Sequence, residues 1–321
     1  MTAIKKNNGI RKKIGGDRQA WLLTFAVVAI VVIMSILTDK FMQVSNVMNI
    51  FVQIATLGIC ALGSAVVMIS GGFDLTIGNV IALAGCSSAV VMASGHNAAV
   101  GVIVGIVVGI VCGFLNGLMV VICKAEPFIV TLALMTIYNG ITLLITGGKN
   151  VAVQAEGFTF GRDRIGGVFP ITIIFLLIIF ILIHLLLQYT KFGRRIYAIG
   201  DNEEAAYLSG IKVKRNKIYI YTLNGVLVGI AAVFLLSRLR SGNASMGDQF
   251  LMQSIAAAVI GGVSMSGGKG TVIGVFLGTL LIGIVNNSLN ILQVPSFWQY
   301  VVLGVIILLA VFVSNLGKDN R

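Results

Sequence analysis

Ten apolar segments follow one another along most of the chain, and they restrict its fold more than any other feature. A helix needs about 20 mostly apolar residues to cross the hydrocarbon core of a bilayer, and each segment approaches that length. The mean hydropathy of +1.00 also exceeds that of ordinary soluble domains. We therefore predict an all-α integral membrane protein. The predicted spans cover residues 21–37, 50–69, 75–94, 98–122, 127–146, 168–187, 217–236, 250–265, 271–290 and 297–314.

The basic residues predict how these spans are oriented. Cytoplasmic loops of membrane proteins carry an excess of Lys and Arg. With the N-terminus in the cytoplasm, 17 of the 23 basic residues fall inside and 6 outside. This asymmetry accounts for the net charge of +12, so we expect no nucleic-acid partner. Both termini are predicted to be cytoplasmic, as a basic tail over residues 1–20 and a short tail over residues 315–321.

Only two hydrophilic segments interrupt the apolar sequence at any length. Residues 147–167 lie outside on this map, and residues 188–216 lie inside. Neither is long enough to form a soluble catalytic domain. We therefore predict one transmembrane domain over residues 21–314, with a cytoplasmic loop at 188–216.

A short internal repeat marks two of the predicted boundaries between spans. SGGFDLTIG, residues 70–78, and SGGKGTVIG, residues 266–274, are identical at five of nine positions. One interpretation is that spans one to four repeat as spans seven to ten, with broken or re-entrant helices that line a transport path. The alternative is that glycine-rich turns between membrane helices resemble one another by chance. The path residues predicted here are Gly71, Gly72, Gly267 and Gly268.

Asp74 is the acidic residue closest to being embedded in the predicted membrane. As a helix cap, it would accept hydrogen bonds from the N–H groups of Thr76 and Ile77, at a helix that starts near Leu75. As a functional group, it would form a polar element in the path, because ionisable groups inside membranes are costly. We favour the cap, although one carboxylate can serve both purposes.

The cytoplasmic stretch GDNEEAAYLSGIKVKRNK, residues 200–217, predicts a helix of about two turns. Asp201 and Glu204 have the spacing of a capping box, and Gly210 lies where a C-terminal glycine cap belongs. Such a short helix cannot bury itself alone. It must lie on the membrane or fit a groove of a partner, and composition does not separate these two possibilities.

Three motifs in order resemble the ribose-type permease subunit of bacterial ABC sugar importers. They are SGGFDLTIG at residues 70–78, FGRRIYAIGDNEEAAYLSGIKV at 192–213 and IAAAVIGGVSMSGGKGTVIG at 255–274. The resemblance extends from about residue 40 over nearly the whole chain. It implies about ten spans with the cobalamin-importer-like architecture of type II importers, in a bacterial cytoplasmic membrane.

The same resemblance implies a substrate and a set of partners. The substrate would be a monosaccharide such as ribose, and a nucleoside or a furanose-like signalling molecule is the alternative. The partners would be cytoplasmic ATP-binding subunits, an extracytoplasmic sugar-binding protein, a second permease subunit in a homodimer or heterodimer, and membrane lipid. The segment implied to couple to the ATPase contains Gly200, Asp201, Asn202, Glu203, Glu204, Ala205, Ala206, Leu208 and Gly210.

The sequence offers no catalytic centre of its own. The stretch GGKGT at residues 267–271 fails as a phosphate-binding loop, because Val263 replaces the first glycine and Gly270 follows the lysine. His96 and His184 have no neighbours at metal-ligand spacing. We therefore expect no enzyme activity, cofactor or metal, and we expect ATP hydrolysis on a separate chain.

Two other functional classes agree less well with the sequence than the importer does. A secondary transporter driven by an ion gradient needs several embedded ionisable groups, and beyond Asp74 the candidates Lys124, Glu126 and His184 are few. A membrane enzyme needs a cluster of His, Asp or Glu.

A neutral sugar would contact amides and hydroxyls, and Asn286 and Asn287 are the residues that we predict to line the path. Other embedded candidates are Asn116, Asn139, Thr142, Asn224 and Asn290.

Overall fold

The computed structural model describes residues 21 and 23–316. The predicted N-terminal tail, residues 1–20, and residues 317–321 of the predicted C-terminal tail lie outside that range. The described part contains twelve α-helices, which are α1 (Leu23–Leu37), α2 (Val44–Ile69), α3 (Ile77–Ala93), α4 (Ala98–Cys123), α5 (Pro127–Thr146), α6 (Ile171–Tyr189), α7 (Lys191–Asp201), α8 (Glu203–Leu208), α9 (Val213–Leu239), α10 (Asp248–Ile260), α11 (Val272–Ile291) and α12 (Ser296–Leu316).

Four two-residue strands fasten the loops at the end of the molecule that we predict to be outside. They are β1 (Val151–Ala152), β2 (Arg164–Ile165), β3 (Phe169–Pro170) and β4 (Ser241–Gly242). β1 pairs antiparallel with β4, and β2 pairs antiparallel with β3. The all-α prediction is therefore confirmed for the described residues, since one pair only ties the segment after α5 to the end of α9 and the other is a short hairpin before α6.

Within the described residues, six helices are long and apolar enough to cross a membrane, namely α2, α4, α5, α6, α9 and α11. Four further apolar helices are shorter: α1, α3, α10 and the stretch Phe297–Ile306 within α12. The predicted eighth span, 250–265, was too long at its C-terminal end. α10 stops at Ile260 because two glycines follow, and the second, Gly262, has a φ of +87°.

Helix α7 was not predicted from the sequence. Its charged and polar residues read as loop, yet Gly193, Ile196 and Ile199 form a buried stripe on one face. The Thr190 hydroxyl caps the helix by accepting a hydrogen bond from the Gly193 N–H. α7 therefore runs directly from the end of α6 to the start of α8.

The core is built around α2. Every residue from Ile54 to Ile69 is buried, as expected for a helix that is apolar on all sides. Helices α9, α10, α11 and α6 pack around it. This central helix therefore connects two distant regions of the molecule, one at each of its ends.

Helices α4 and α9 make the most extensive helix pair, and glycine makes their close approach possible. A Cβ atom on Gly109 would lie 2.6 Å from the Gly229 Cα, and one on Gly113 would lie 2.7 Å from the Gly225 Cα. Small residues allow such backbone contact between membrane helices. The two helices therefore touch through their main chains.

Candidate transport cavity and coupling segment

A cavity of about 500 Å³ opens at the end of the bundle that carries the strands. The N-terminal parts of α2 and α10, the C-terminal parts of α9 and α11 and the segment between α5 and α6 form its walls. Its lining residues are Asn49, Val52, Gln53, Ile54, Leu57, Gly161, Arg162, Arg164, Arg238, Gln249, Phe250, Gln253, Gly283, Asn286, Asn290 and Gln299. Amide and guanidinium groups dominate this lining.

The predicted path residues Asn286 and Asn287 have different environments. Asn286 lines the cavity, whereas Asn287 exchanges two hydrogen bonds with Asn46 of α2, at 2.9 and 3.1 Å. Successive residues of a helix point about 100° apart, so only one of two neighbours can face the cavity. Asn290 also lines it, while Asn139 is exposed on α5.

The segment between α5 and α6 is folded over one side of the cavity. Phe158 is fully buried, and its carbonyl accepts a 2.7 Å hydrogen bond from the Arg240 guanidinium. Arg162 donates from Nε to the Arg238 carbonyl at 2.7 Å, and Arg164 donates from Nη2 to the Asn49 Oδ1 at 2.9 Å. Arg162 and Arg164 line the cavity and were not predicted from the sequence. The phenylalanines in a hydrophilic segment were the available signal.

Asp74 lies in the segment between α2 and α3, where it accepts the predicted hydrogen bond from the Thr76 N–H but does not occupy the predicted N-cap position. α3 begins at Ile77, and Thr76 is the residue that precedes it. Asp74 Oδ1 accepts hydrogen bonds from the backbone N–H and the hydroxyl of Thr76, at 2.8 and 2.6 Å. Its Oδ2 accepts from Asn116 Nδ2 at 3.2 Å and from Asn224 Nδ2 at 2.8 Å.

These contacts make Asp74 the centre of a buried polar cluster. Asn116 lies on α4 and Asn224 on α9, and the Tyr138 hydroxyl of α5 donates to the Asn116 Oδ1 at 2.8 Å. That bond turns the Asn116 amide nitrogen toward Asp74 and the Thr76 hydroxyl. A buried polar group costs free energy unless it is hydrogen-bonded, and here neutral donors surround the Asp74 carboxyl group. The cluster therefore fixes the segment between α2 and α3 to three helices.

The two SGG turns meet at the opposite end of the bundle from the cavity. Gly71 and Gly267 both have positive φ, +79° and +83°, which glycine adopts without strain. The Gly268 N–H donates to the Ile69 carbonyl at 2.9 Å. The predicted path residues Gly71, Gly267 and Gly268 thus come together, but about 20 residues along α2 from the cavity. Gly72 lies beside them, where a Cβ atom would be 2.8 Å from the Tyr221 hydroxyl oxygen.

Gly200, at the end of α7, fits between these turns. A Cβ atom on Gly200 would lie 2.7 Å from the Gly268 nitrogen and would also collide with the Ile69 carbonyl. A Cβ atom on Gly267 would lie 2.5 Å from the Gly200 carbonyl oxygen and 3.0 Å from the Gly71 Cα. We call Gly71, Gly200, Gly267 and Gly268 the glycine junction. It joins the segment of α7 and α8 to α2 and α11 without intervening side chains.

A side chain of α7 makes a second contact with the same region. The Tyr197 hydroxyl donates to the Gly270 carbonyl at 2.9 Å. Burial raises the pKa of Tyr197 above its usual value, so the hydroxyl keeps its proton and remains a donor. The second SGG turn is therefore linked to α7 by a hydrogen bond as well as by backbone contact.

Helix α8 forms where the sequence predicts it, but its N-terminal cap differs. The predicted Asp201–Glu204 capping box is wrong, because Asp201 is the last residue of α7 and Asn202 is the cap. Asn202 Oδ1 accepts from the Ala205 N–H at 2.9 Å. The predicted C-terminal glycine is confirmed. Gly210 has a φ of +81°, and the bonds Gly210 N–H to Tyr207 carbonyl and Ile211 N–H to Ala206 carbonyl form a Schellman motif.

Helix α8 exposes nearly all of its side chains. Only Ala206 is buried, against Ile199 and Val213, whereas Tyr207 is 69% and Leu208 78% exposed. Glu203 is held by Lys217 at 2.6 Å. The helix is thus fixed at its base and capped at both ends, and it presents apolar and acidic side chains outward.

Sequence comparison places the chain in a known family. Residues 46–311 match the profile of the family described as branched-chain amino acid transport system / permease component. The chain belongs to this family of permeases. The matched range includes the cavity, the polar cluster around Asp74, the glycine junction and α8.

Similar proteins cover almost the same length. The ribose import permease protein of Bacillus subtilis (strain 168) is 41% identical over 311 residues, which span 96% of this chain and 94% of that protein. The ribose import permease protein of Escherichia coli (strain K12) is 36% identical over 92% and 95% of the two chains. The L-arabinose transport system permease protein of the same strain is 38% identical over 95% and 92%. None of the solved structures matches this chain.

Proposed function

We propose that this chain is the transmembrane permease subunit of an ATP-driven importer that moves a monosaccharide into the cytoplasm. The permease family and the ribose and arabinose permeases at 36–41% identity support this assignment. The observation that carries it is α8, which exposes the apolar side chains of Tyr207 and Leu208 and follows directly on the end of α7 at the glycine junction. Such a helix is suited to receive a movement from a partner.

We further propose ten membrane crossings per subunit, in an architecture similar to that of the cobalamin importer. The six long apolar helices and the four shorter ones would supply these crossings, with α7 and α8 on the cytoplasmic side. The excess of basic residues on that side supports cytoplasmic termini. A second permease subunit, two ATP-binding subunits and an extracytoplasmic sugar-binding protein would complete the assembly in a bacterial cytoplasmic membrane.

The geometry suggests how ATP binding would act on the path. Closure of the ATPase subunits would displace α8, and α7 would carry this displacement to Gly200 between the two SGG turns. Residues 53 and 69 of α2 are separated by about 24 Å at 1.5 Å per residue, so movement at the junction reaches the cavity through one rigid helix. A partner shifts such an equilibrium only by its difference in affinity for the two states.

A pull-down of the ATPase from gently solubilised membranes tests the proposal. The test variant replaces Tyr207 and Leu208 with Ser, which removes the exposed apolar contacts and leaves the buried Ala206 in place. The matched control replaces Phe128 and Ile129, which are exposed on α5, with Ala. We expect an ATP-binding subunit to co-purify with the native chain and the control but not with the test variant. Recovery of no ATPase with the native chain would contradict the proposal.

A further inference from the structure

Four half-buried polar side chains in the cavity wall have no hydrogen-bond partner within the described part of the chain. They are Gln53 of α2, Arg238 of α9, Gln253 of α10 and Asn286 of α11. All four are half-buried. Among the other polar side chains at the cavity, Asn49 accepts from Arg164 and Gln299 donates to Asn290 at 2.9 Å, whereas Gln249 is unpaired within the described chain but exposed.

These four groups differ in hydrogen bonding from Asn116 and Asn287, two amides inside the bundle. Inside the bundle, Asn116 and Asn287 direct their amides at protein partners. Polar groups withdrawn from bulk water are normally hydrogen-bonded. Three unpaired amides and one unpaired guanidinium, each half-buried on a different helix and lining one cavity, therefore indicate a site that water or a ligand completes. A volume of about 500 Å³ is within the usual 300–1,000 Å³ of small-molecule sites.

The chemistry of the wall specifies the kind of ligand. Each carboxamide offers both donors and an acceptor, and the guanidinium offers donors only. Sugar hydroxyls both donate and accept, so they match a wall of mixed amides. None of the described lining residues is a carboxylate, and the buried ring of Phe250 adds an apolar surface beside the amides.

We propose that Gln53, Arg238, Gln253 and Asn286 form a monosaccharide-binding subsite in the permease itself. This inference rests on the proposed importer function and goes beyond it, because the pore then contacts and selects the sugar instead of only opening for it. The sugar released by the binding protein would occupy this subsite before the junction moves. Arg162 and Arg164 are exposed at the rim and already hydrogen-bonded, so they are not part of it.

Sugar binding to the purified permease–ATPase complex, without the binding protein, tests this subsite directly. The probes are radiolabelled ribose, L-arabinose, D-allose, ribonate and adenosine. The test variant combines Gln253→Met with Asn286→Leu, which removes two amides at nearly constant volume. The control combines Gln43→Met with Gln154→Met, because both side chains are exposed amides outside the cavity. We expect saturable binding of at least one neutral sugar and a loss of affinity of about tenfold or more in the test variant only.

The outcomes separate the subsite from the proposed function. ATP-dependent sugar uptake by the complete importer, with no saturable sugar binding to the complex or with equal binding by both variants, would overturn the subsite alone. Tighter binding of ribonate or adenosine than of any neutral sugar would overturn the monosaccharide assignment. If the wild-type importer transports no sugar, the importer function fails, and the binding measurement still decides whether the four side chains hold a sugar.

Discussion

The two SGG turns share five of nine residues but are held in different ways. In the first turn, Asp74 is bonded to donors on its own segment, α4 and α9. In the second turn Gly270 occupies the equivalent position, and its carbonyl accepts from Tyr197 of α7. The difference indicates that the first turn is anchored to the bundle, whereas the second is attached to α7.

The largest effect is expected from removal of the anchor. Asp74→Leu removes the acceptor of the buried Thr76 and Asn224 donors and one of the two acceptors of Asn116, and each buried donor left unpaired costs about 1–3 kcal/mol. We expect little accumulation of folded protein, measured by size-exclusion chromatography and thermal unfolding in detergent. Asp74→Asn retains an acceptor but sets its NH₂ group against other donors, so a loss of about 1–3 kcal/mol is expected. A wild-type melting temperature for Asp74→Leu would refute the anchoring role.

A side chain at the second turn should uncouple transport. In Gly267→Val the new atoms collide with Gly200 and Gly71, and the residue must also adopt a φ of +83°. We expect membrane insertion with at least tenfold lower uptake per ATP hydrolysed. Gly147→Val is the control for strain, because Gly147 has a φ of +60° but no neighbour within 4 Å of a new Cβ atom. Equal losses in both variants would show that backbone strain, and not the junction, is responsible.

The C-terminal cap of α8 allows a comparison at one position. Gly210→Pro cannot adopt a φ of +81° and loses the N–H that bonds to Tyr207. We expect the ATPase to dissociate more readily during purification. Gly210→Asn tolerates the left-handed conformation and should retain the complex. If the proline variant binds ATPase as well as the asparagine variant does, the shape of α8 is not what the partner recognises.

The smallest effect is expected from the hydrogen bond between α7 and the second turn. Tyr197→Phe removes one bond worth about 0.5–1.5 kcal/mol, so uptake should fall by about two- to tenfold with normal stability. Because burial raises the pKa of Tyr197, the wild-type bond should not change between about pH 6 and 9. A drop in wild-type coupling over that range would have to originate elsewhere.

Local sequence patterns predicted much of the fold. Apolar runs located the long helices, and the SGG motifs marked real helix breaks. Gly210 gave the end of α8, since a glycine cap depends only on its own residue. The start of α8 was misplaced by one residue, because Asp201 and Asn202 are both good caps and only the end of α7 selects between them.

The polar sites could not be predicted in the same way, because they depend on distant contacts. Asp74 is 42 residues from Asn116 and 150 from Asn224, and nothing near Asp74 in the sequence indicates these donors. The cavity likewise draws single amides from helices far apart in sequence. Asn286 and Asn287 are adjacent residues of the same type, so the sequence does not distinguish them. Only the rotation of α11 about its axis places one in the cavity and the other against Asn46.

The glycine contacts between α4 and α9 have a mechanical consequence. α9 follows α8 after a short connection, and its last turn carries Arg238. Its 27 residues span about 40 Å. With this geometry, a tilt of about 5° at one end would displace the other by about 3.5 Å. The backbone of α9 contacts that of α4, with no long side chains between them that could rearrange. The two helices should therefore tilt together as one rigid body.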